Sequence, residues 1–306
     1  MNYSPIIKIV LFIGFVYTYN SFNLNKTIKM NSRLYNSKKQ CIISSKNKKS
    51  YCGDKEDLFI NNNEIIDKRL ITISPGGYKG FYLLGILTYI KENYNTNNII
   101  FSGASAGAWN SLFMCYKGSD PLSFVYKFLD ANIRKAKSIT ELQYFLKYKL
   151  LSCYKTEDFD LKKIFLGVTA FNYFLPVTNV YTDFEDLEDA INCCMASSHI
   201  PLITGGLTNR YKNLFSFDGG FSSYPYLDKE RIIHISLSMW DELNTNNKQK
   251  FLKQNILNIK KFASFFSLSK NNLLELFDNG YNDAKLHKQY FDKLLESKID
   301  EDTPEF

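Results

Sequence analysis

The sequence predicts an α/β fold built around a sheet of parallel strands. Two short apolar runs, 70–74 and 99–102, each end in a glycine-rich turn, and each turn opens a segment with helical spacing of apolar residues. Strands and helices that alternate in this way are typical of parallel sheets. The chain has 306 residues, of which 45% are hydrophobic and 16% aromatic, enough for a sizeable core in one large domain or two small ones.

The first strand, 70–74, runs directly into a glycine-rich loop, Pro75-Gly76-Gly77-Tyr78-Lys79-Gly80. Backbone N–H groups converge where such a loop opens a helix, so the loop is a candidate anion site. It lacks the spacing of a phosphate-binding P-loop and fits the dinucleotide fingerprint poorly. The loop either binds a phosphate or supplies backbone donors to an oxyanion. The next motif along the chain favours the oxyanion.

The second strand ends in the pentapeptide Gly103-Ala104-Ser105-Ala106-Gly107. A serine hydroxyl is a poor nucleophile unless the fold holds it clear of the chain and next to a base. A sharp strand-to-helix turn does this, and crowding at the turn leaves room only for small neighbours. The helix begins just after the serine, so its free N–H groups point toward the reacting centre. Ser105 is the candidate nucleophile, and an unreactive Gly/Ala/Ser turn is the alternative.

The middle of the chain continues the alternation of helices and strands. Residues 120–152 predict one or two amphipathic helices, 164–170 and 175–181 predict strands, and 186–197 predicts a helix. A further β run, 214–217, ends in Asp218-Gly219-Gly220. An aspartate in a tight turn is usually structural, because it hydrogen-bonds to its own backbone.

The chain has three histidines, His199, His234 and His287. The chain order of a standard α/β-hydrolase, serine then acid then histidine, would need His234 or His287 as the base. His234 lies inside the β run 232–237, and His287 lies in 283–295, which predicts a helix. Neither position is a loop that presents a base to a serine. A Ser-Asp dyad, in which a carboxylate takes the serine proton directly, is therefore the better chemical hypothesis.

Four motifs, taken together and in order, resemble those of the patatin-like phospholipases. They are the loop 75–80, the pentapeptide 103–107, the block Ala196-Ser197-Ser198-His199-Ile200-Pro201, and Asp218-Gly219-Gly220. A weaker fifth match is the stretch Asn279-Gly280-Tyr281-Asn282-Asp283-Ala284. The resemblance covers about residues 70–290 and implies a three-layer α/β/α fold with a central, mostly parallel sheet and helices on both faces.

The resemblance also implies the roles of individual residues. Ser105 is the nucleophile and Asp218 the base, and the N–H groups of Gly76, Gly77 and Ala106 bind the oxyanion. The remaining motif residues are Lys79, Gly80, Gly103, Gly107, Gly219 and Gly220. The implied reaction is hydrolysis of an acyl ester in a phospholipid or neutral glycerolipid through an acyl-serine intermediate, with no metal or organic cofactor. The implied partner is a membrane or lipid-droplet surface.

Two positions depart from the family pattern, and one matches it without a defined role. Pro75 replaces the first glycine of the loop and has no N–H to donate. His199 stands where the family usually has a small residue, so it either narrows the pocket or packs beside it. Lys79 matches a basic position of the family, where it either anchors the loop or meets a lipid phosphate.

The N-terminal part of the chain differs in composition from the rest. Residues 1–22 contain an apolar run from Ile6 to Tyr19 that has the length of a signal-peptide core. Residues 23–67 predict a basic, Asn/Ser-rich, disordered leader or linker. We expect the protein to enter the secretory route and to be membrane-peripheral. A two-part leader would carry it onward to a plastid. A basic tail on an anionic membrane and a plain solvated linker are the alternatives.

Charge and cysteine content exclude several function classes. The net charge is +7, but the first 53 residues hold nine basic groups and no acid, so the remainder is slightly acidic. A nucleic-acid face on the main domain, 68–290, is therefore not expected. The six cysteines fit no metal-binding spacing and are interpreted as small apolar residues. Residues 291–306 are expected to form a C-terminal tail.

Three other functions use the same sequence features. The protein is alternatively a catalytically impaired lipid-binding or scaffold member of the fold, or an acyltransferase that uses the same residues. A histidine-dependent esterase is the third alternative, with His234 or His287 as its base. Intact Ser105 and Asp218 argue against the impaired member.

Overall fold

The computed structural model describes residues 41–46, 50–52, 67–130, 133, 135–172, 175–222, 224–244 and 272–298. Their strands are β1 (Cys41–Ser44), β2 (Ser50–Cys52), β3 (Arg69–Ile73), β4 (Ile99–Gly103), β5 (Ile164–Asn172), β6 (Leu175–Thr182), β7 (Asn209–Tyr211), β8 (Leu214–Phe217) and β9 (Arg231–Ile235). Their helices are α1 (Gly80–Asn93), α2 (Ala106–Met114), α3 (Pro121–Phe128), α4 (Ile139–Cys153), α5 (Leu187–Ser197), α6 (Met239–Asn244), α7 (Leu273–Leu286) and α8 (Lys288–Asp292).

The strands form one sheet whose main path has the order β2-β1-β6-β5-β4-β3-β9. The pairs β1–β6, β5–β4, β4–β3 and β3–β9 are parallel, whereas β1–β2 and β5–β6 are antiparallel. The short strands β7 and β8 form a hairpin that joins β5 through β8. The prediction of an α/β fold with a central, mostly parallel sheet is confirmed.

The register of β3 and β4 positions the two glycine-rich turns. Ile73 pairs with Gly103, so the strands end at the same level of the sheet. The loop 75–80 and the turn at Ser105 therefore leave the same edge side by side. In α/β sheets this carboxyl edge is where binding sites form.

The two faces of the sheet bury different apolar clusters. Ile71, Ile73 and Phe101 belong to the large core that also contains the apolar faces of the helices. Alternate residues of the same strands point the other way and form a smaller cluster, which consists of Ile42, Leu70, Ile100, Phe165, Val180 and Leu227. Because both faces are buried, β3 and β4 have continuous apolar sequences rather than alternating ones.

Two helices, α1 and α7, cross at very close range. A Cβ atom added at Gly85 would lie 2.1 Å from the carbonyl oxygen of Phe277, and one at Gly280 would lie 1.9 Å from that of Tyr82. The weak motif 279–284 therefore has a packing role. Its Asp283 also accepts a hydrogen bond of 2.6 Å from the Tyr82 hydroxyl.

The N-terminal boundary of the fold differs from the predicted one. Strands β1 and β2 lie within 23–67, the segment expected to be disordered, and Ile42 pairs with Val180 of β6. The run Cys41-Ile42-Ile43 is apolar enough to extend the sheet, although it stands in a basic, polar context. Ser45 fixes the end of β1 with a hydrogen bond of 2.5 Å to Asp189. Residues 1–40, 47–49 and 53–66 lie outside the described residues.

The C-terminal boundary also differs, because the fold continues past residue 290. Phe291 is fully buried and Leu295 nearly so, and both belong to the large core. The expected tail 291–306 therefore begins later, and 299–306 lie outside the described residues.

Two further properties of the described residues bear on the sequence predictions. Cys115, Cys193 and Cys194 are buried free thiols, in agreement with their interpretation as small apolar residues. None of the described helices has both the length and the apolar character needed to cross a bilayer.

Candidate active site

Ser105 occupies the sharp turn between β4 and α2. Its backbone φ of 55° lies in the left-handed region, which a residue with a side chain adopts at a cost in energy. Ser105 is also the N-cap residue of α2, yet its side chain makes no capping hydrogen bond. Its hydroxyl is thus available for another partner.

The crowding expected at this turn is present. A Cβ atom at Gly103 would lie 2.2 Å from the carbonyl oxygen of Gly107, and one at Gly107 would lie 2.1 Å from that of Ile73. Both distances are far below a van der Waals contact. The two glycines are therefore required by the close approach of backbone segments, as the motif predicts.

A serine that sequence reasoning left without a role fixes the turn. The Ser105 N–H donates a hydrogen bond of 2.9 Å to the Ser197 hydroxyl oxygen. That hydroxyl in turn donates one of 2.6 Å to the carbonyl oxygen of Gly167 on β5. Ser197 is fully buried at the end of α5. Its position in the block 196–201 is the sequence signal that pointed to it.

Asp218 lies just after β8, and hydrogen bonds to its backbone and to its carboxylate hold it in place. Its N–H donates to the carbonyl oxygen of His199 at 2.7 Å, and its own carbonyl accepts from the Thr169 hydroxyl at 2.8 Å. The Gly220 N–H donates to the carboxylate at 2.7 Å. Thr169 was not predicted as a site residue, since nothing in the sequence of β5 distinguishes it.

The glycines after Asp218 allow its carboxylate to sit close to the backbone. A Cβ atom at Gly220 would lie 2.9 Å from the carboxylate oxygen, and one at Gly219 would lie 2.3 Å from the carbonyl oxygen of Gly167. Larger residues at either position would displace the aspartate or the strand behind it.

The fold brings Ser105 and Asp218 together, although they are far apart in sequence. The Ser105 hydroxyl lies near enough to the Asp218 carboxylate to oppose a rise in its pKa. Both side chains are buried, with 6% and 5% of their surface exposed. Burial raises the pKa of Asp218 to about 6, while Ser105 and the hydrogen bond from the Gly220 N–H oppose the rise. A carboxylate with this pKa is ionised at neutral pH and is a stronger base than an exposed one.

Residues of two segments that the sequence predicts as oxyanion donors line the same cavity as Ser105. Ala106 is the first residue of α2, so the helix offers no acceptor for its N–H. Gly77, with φ of 54°, lines the same cavity as Ser105 and Ala106, whereas Gly76 is buried behind it. Among the expected donors, Gly77 and Ala106 therefore face the cavity.

The loop 75–80 is fastened on two sides. The Asn110 side chain of α2 donates a hydrogen bond of 3.0 Å to the carbonyl oxygen of Gly80. A Cβ atom at Gly80 would lie 2.6 Å from that of Ala106, so the loop needs glycine to approach α2. Pro75 stands beside Gly220, 3.3 Å from where a Cβ would be. Lys79 is half-buried just before α1.

An apolar cavity of about 130 Å³ leads away from the serine. Ser105, Gly77 and Ala106 belong to its lining, and the helices α1 to α4 supply most of the rest. The apolar wall includes Phe81, Leu84, Leu112, Phe113, Phe124, Val125, Phe128, Leu142, Leu146 and Leu150. A space of this composition suits an unbranched hydrocarbon chain, because only apolar groups gain by entering it.

The histidines are occupied elsewhere. His234 Nδ1 lies 2.8 Å from the Thr72 hydroxyl within the sheet, and His287 stacks on Trp240 with ring centroids 4.1 Å apart. His199 packs beside Phe217, with ring centroids 6.2 Å apart. No histidine is among the described residues that line the cavity, so His199 packs rather than narrowing the pocket.

Metal ligands are not assembled in the part of the chain that the structure describes. No group of three or more His, Cys, Asp or Glu side chains there is arranged to hold a metal ion. The chemistry available at the site is that of a hydroxyl, a buried carboxylate and backbone N–H groups.

Comparison with known protein families gives a match. A family model described as patatin-like phospholipase matches residues 71–228, just over half of the chain. The matched range begins in β3 and ends ten residues after Asp218, so it contains the loop 75–80, Ser105 and Asp218. None of the curated proteins compared with the chain matches it.

Proposed function

Because the chain belongs to the patatin-like phospholipase family, whose members are lipid acyl hydrolases, we propose that it cleaves acyl esters with Ser105 and Asp218 as a catalytic dyad. The observation that carries the proposal is the placement of the Ser105 hydroxyl, which lines an apolar cavity, beside the buried Asp218 carboxylate. A buried carboxylate in this position has one evident chemical task, which is to take the serine proton.

The first half-reaction forms an acyl-serine intermediate. Asp218 accepts the hydroxyl proton as the Ser105 oxygen attacks the ester carbonyl carbon, and the carbonyl oxygen becomes an oxyanion. The N–H groups of Gly77 and Ala106 donate to that oxyanion, and loss of one such donor typically costs about 100- to 1000-fold in rate. When the ester C–O bond breaks, Asp218 returns the proton to the departing alcohol.

The second half-reaction releases the fatty acid. Asp218 takes a proton from a water molecule, and the hydroxide formed attacks the acyl carbonyl. The Ser105 oxygen leaves and recovers the proton from Asp218. Protonated and ionised Asp218 alternate in both steps, and its pKa of about 6 keeps both forms accessible near neutral pH.

The proposed substrate is a phospholipid or a neutral glycerolipid. The apolar wall of the cavity supports an acyl chain as the group that enters it. We further propose a membrane-peripheral enzyme on a membrane or lipid-droplet surface, which enters the secretory route through its N-terminal apolar run. The acid-free, basic character of the first 53 residues supports contact with anionic lipid.

The test compares the full chain with its Ser105→Ala variant on phospholipid vesicles and on a soluble short-chain ester, with released fatty acid measured. The unmodified protein is expected to release fatty acid, and Ser105→Ala to reduce the release at least about 1000-fold. Ser216→Ala is the matched control, because the Ser216 hydroxyl is buried and has no hydrogen-bond partner to lose. Equal release by Ser105→Ala and the unmodified protein would refute the proposal.

A further inference from the structure

One segment of the described residues exposes several large apolar side chains. Residues 202–215, here called the loop–hairpin surface, expose the side chains of Leu202, Leu207, Leu214 and Phe215. Leu207 has 60% of its surface accessible and the other three have more than 40%. Single exposed leucines are ordinary, but a short segment that exposes several large apolar side chains is a candidate interaction surface.

The same segment forms part of the cavity wall. Ile200 and Thr204 line the cavity, while Leu202 between them points outward to solvent. A hydrogen bond of 3.3 Å from the Leu202 N–H to the carbonyl oxygen of Gly206 closes the loop. One short loop thus has its inner side on the acyl cavity and its outer side in water.

Leu202 adopts a backbone conformation that is unfavourable for leucine. Its φ of 64° lies in the left-handed region, which is rare for bulky residues. Its side chain keeps 43% of its surface exposed, so burial offsets only part of this strain. Strain of this kind persists where function requires the geometry, and here the geometry presents an apolar side chain to the outside.

The hairpin contributes the second half of the surface. Lys212 and Asn213, both with positive φ, form the two-residue turn between β7 and β8. Arg210 pairs with Phe215 across the strands, and its guanidinium lies 4.5 Å from the centre of the Phe215 ring. The arginine therefore stands next to the exposed ring, an arrangement suited to a lipid interface, where the ring enters the apolar layer and the cation meets headgroups.

The charge of this segment has one sign. No acidic residue occurs between Asp189 and Asp218, and the exposed Arg210 and the Lys212 side chain are its cations. Lys212 is already paired with Glu185 and Asp189, each at 3.1 Å. Arg210 therefore supplies the positive charge that is complementary to anionic headgroups.

We propose that the loop–hairpin surface docks on a phospholipid bilayer that contains anionic headgroups. The inference rests on the proposed lipid hydrolase, and it identifies the surface through which that enzyme meets its substrate. Leu202, Leu207 and Phe215 enter the outer part of the bilayer, and Arg210, which pairs with Phe215 on the same face of the hairpin, contacts the headgroup phosphates. The cavity wall formed by Ile200 and Thr204 then lies directly behind the point of contact.

Binding is measured first, and independently of catalysis. The full chain with Ser105→Ala is sedimented with vesicles of phosphatidylcholine and phosphatidylserine, with and without the pair Leu207→Ser and Phe215→Ser. The pair is expected to weaken binding at least about tenfold, because two large apolar side chains no longer enter lipid. Tyr148→Ser is the matched control, since Tyr148 is a still more exposed aromatic residue on α4. Equal binding with and without the pair, or an equal loss with Tyr148→Ser, overturns the proposal.

Activity then separates docking from catalysis. With Ser105 intact, the Leu207→Ser and Phe215→Ser pair is expected to lower hydrolysis of vesicles at least about tenfold and to leave hydrolysis of a soluble short-chain ester unchanged. A parallel loss on both substrates overturns the docking surface. If the unmodified protein hydrolyses neither substrate, the proposed function fails, and vesicle sedimentation still decides whether this surface binds lipid.

Discussion

The carboxylate of Asp218 is held in a place that does not favour its charge. Its side chain is almost completely buried, and burial raises its pKa to about 6. The nearby Ser105 hydroxyl and a hydrogen bond from the Gly220 N–H restrain the rise without reversing it. The result is a base whose proton affinity suits proton transfer near neutral pH, in a setting without a histidine.

The pKa of Asp218 predicts how activity depends on pH. Only the ionised carboxylate accepts the serine proton, so kcat/KM is expected to fall about tenfold per pH unit below pH 6 and to stay level above it. Burial lowers the pKa of His234 to about 4, so that side chain does not produce an inflection near 6. Initial rates on a soluble ester, measured from about pH 4.5 to about pH 8, test this pH dependence. A profile without an inflection in that interval would contradict it.

The same pKa predicts a stability change in Asp218→Asn. Because the folded-state pKa is raised above its usual 3.8, the folded state binds the proton more tightly than the unfolded state. This contribution to stability is present below pH 3.8 and is lost as the pH rises through 6. Asn has no such charge, so Asp218→Asn is expected to raise the free energy of unfolding by up to about 3 kcal/mol at high pH.

Urea unfolding of the two proteins at pH 8 and at pH 4 measures this difference. Little change is expected at the lower pH, where Asp218 is already protonated in the folded state. If Asp218→Asn has a lower free energy of unfolding than the unmodified protein at pH 8, the ionised carboxylate stabilises the fold and the prediction is wrong.

Ser197 is expected to act as a positioning residue for the nucleophile. Ser197→Ala removes the acceptor for the Ser105 N–H and the donor to Gly167, so the strained turn relaxes. The expected result is a roughly 10- to 100-fold lower kcat with KM nearly unchanged, since displacement of a nucleophile by an ångström has this order of effect. Steady-state kinetics give both constants, and Ser197→Thr, which keeps the hydroxyl, should recover part of kcat. A change confined to KM would assign Ser197 to substrate binding instead.

At the scale of elements, backbone contact rather than side-chain interdigitation joins α1 to α7. Gly85 and Gly280 face each other's helix so closely that no Cβ atom fits. This contact places α7 against the helix that begins at the glycine-rich loop. Tyr82 adds a hydrogen bond to Asp283 and accepts one of 2.8 Å from the Trp240 indole.

Gly280→Ala is expected to destabilise the protein even though alanine is the better helix former. The added methyl group would lie 1.9 Å from the carbonyl oxygen of Tyr82, and the helices must separate to admit it. A loss of about 1–3 kcal/mol in the free energy of unfolding is expected from such overpacking. Asn282→Ala, at an exposed position of the same helix, is the control and should be neutral or slightly stabilising. Chemical denaturation of both variants makes the comparison.

At the scale of the whole molecule, the sheet extends into the basic N-terminal region. Strand β1 pairs along its length with β6, and Ile42 contributes to the cluster on the second face. Ser45 reaches the buried network around Asp189, in which the Tyr211 hydroxyl donates a second hydrogen bond of 2.9 Å. The catalytic domain therefore includes residues that composition assigns to a leader.

Deletion of two different lengths tests this boundary. Removal of residues 1–35 is expected to leave the free energy of unfolding unchanged. Removal of residues 1–53 is expected to lower it by at least about 2 kcal/mol. The larger deletion exposes the edge of β6 and leaves Asp189 without the Ser45 hydroxyl. Thermal melts of both proteins against the full chain give the result, and equal melting of the two would mean that β1 contributes nothing.

Local sequence determined much of this protein. The runs 70–74 and 99–102 with their glycine turns were sufficient to predict β3, β4 and the α/β class, because strand and helix periodicities are local properties. Small residues around Ser105 were likewise predictable, since a tight turn restricts its own neighbours. The Asp218-Gly219-Gly220 turn was visible too, although only the resemblance to the patatin-like phospholipases identified Asp218 as the base.

Tertiary structure alone decided the contacts between segments that are distant in the chain. Which strands become neighbours decides whether Ser105 meets Asp218 and whether Ser197 and Thr169 support them. It also decides that β1 joins the sheet. Burial of Asp218, and hence its pKa, is also a property of the assembled fold. Local patterns specify elements and turns, but long-range pairing is specified by the joint burial of many side chains, which no short stretch of sequence contains.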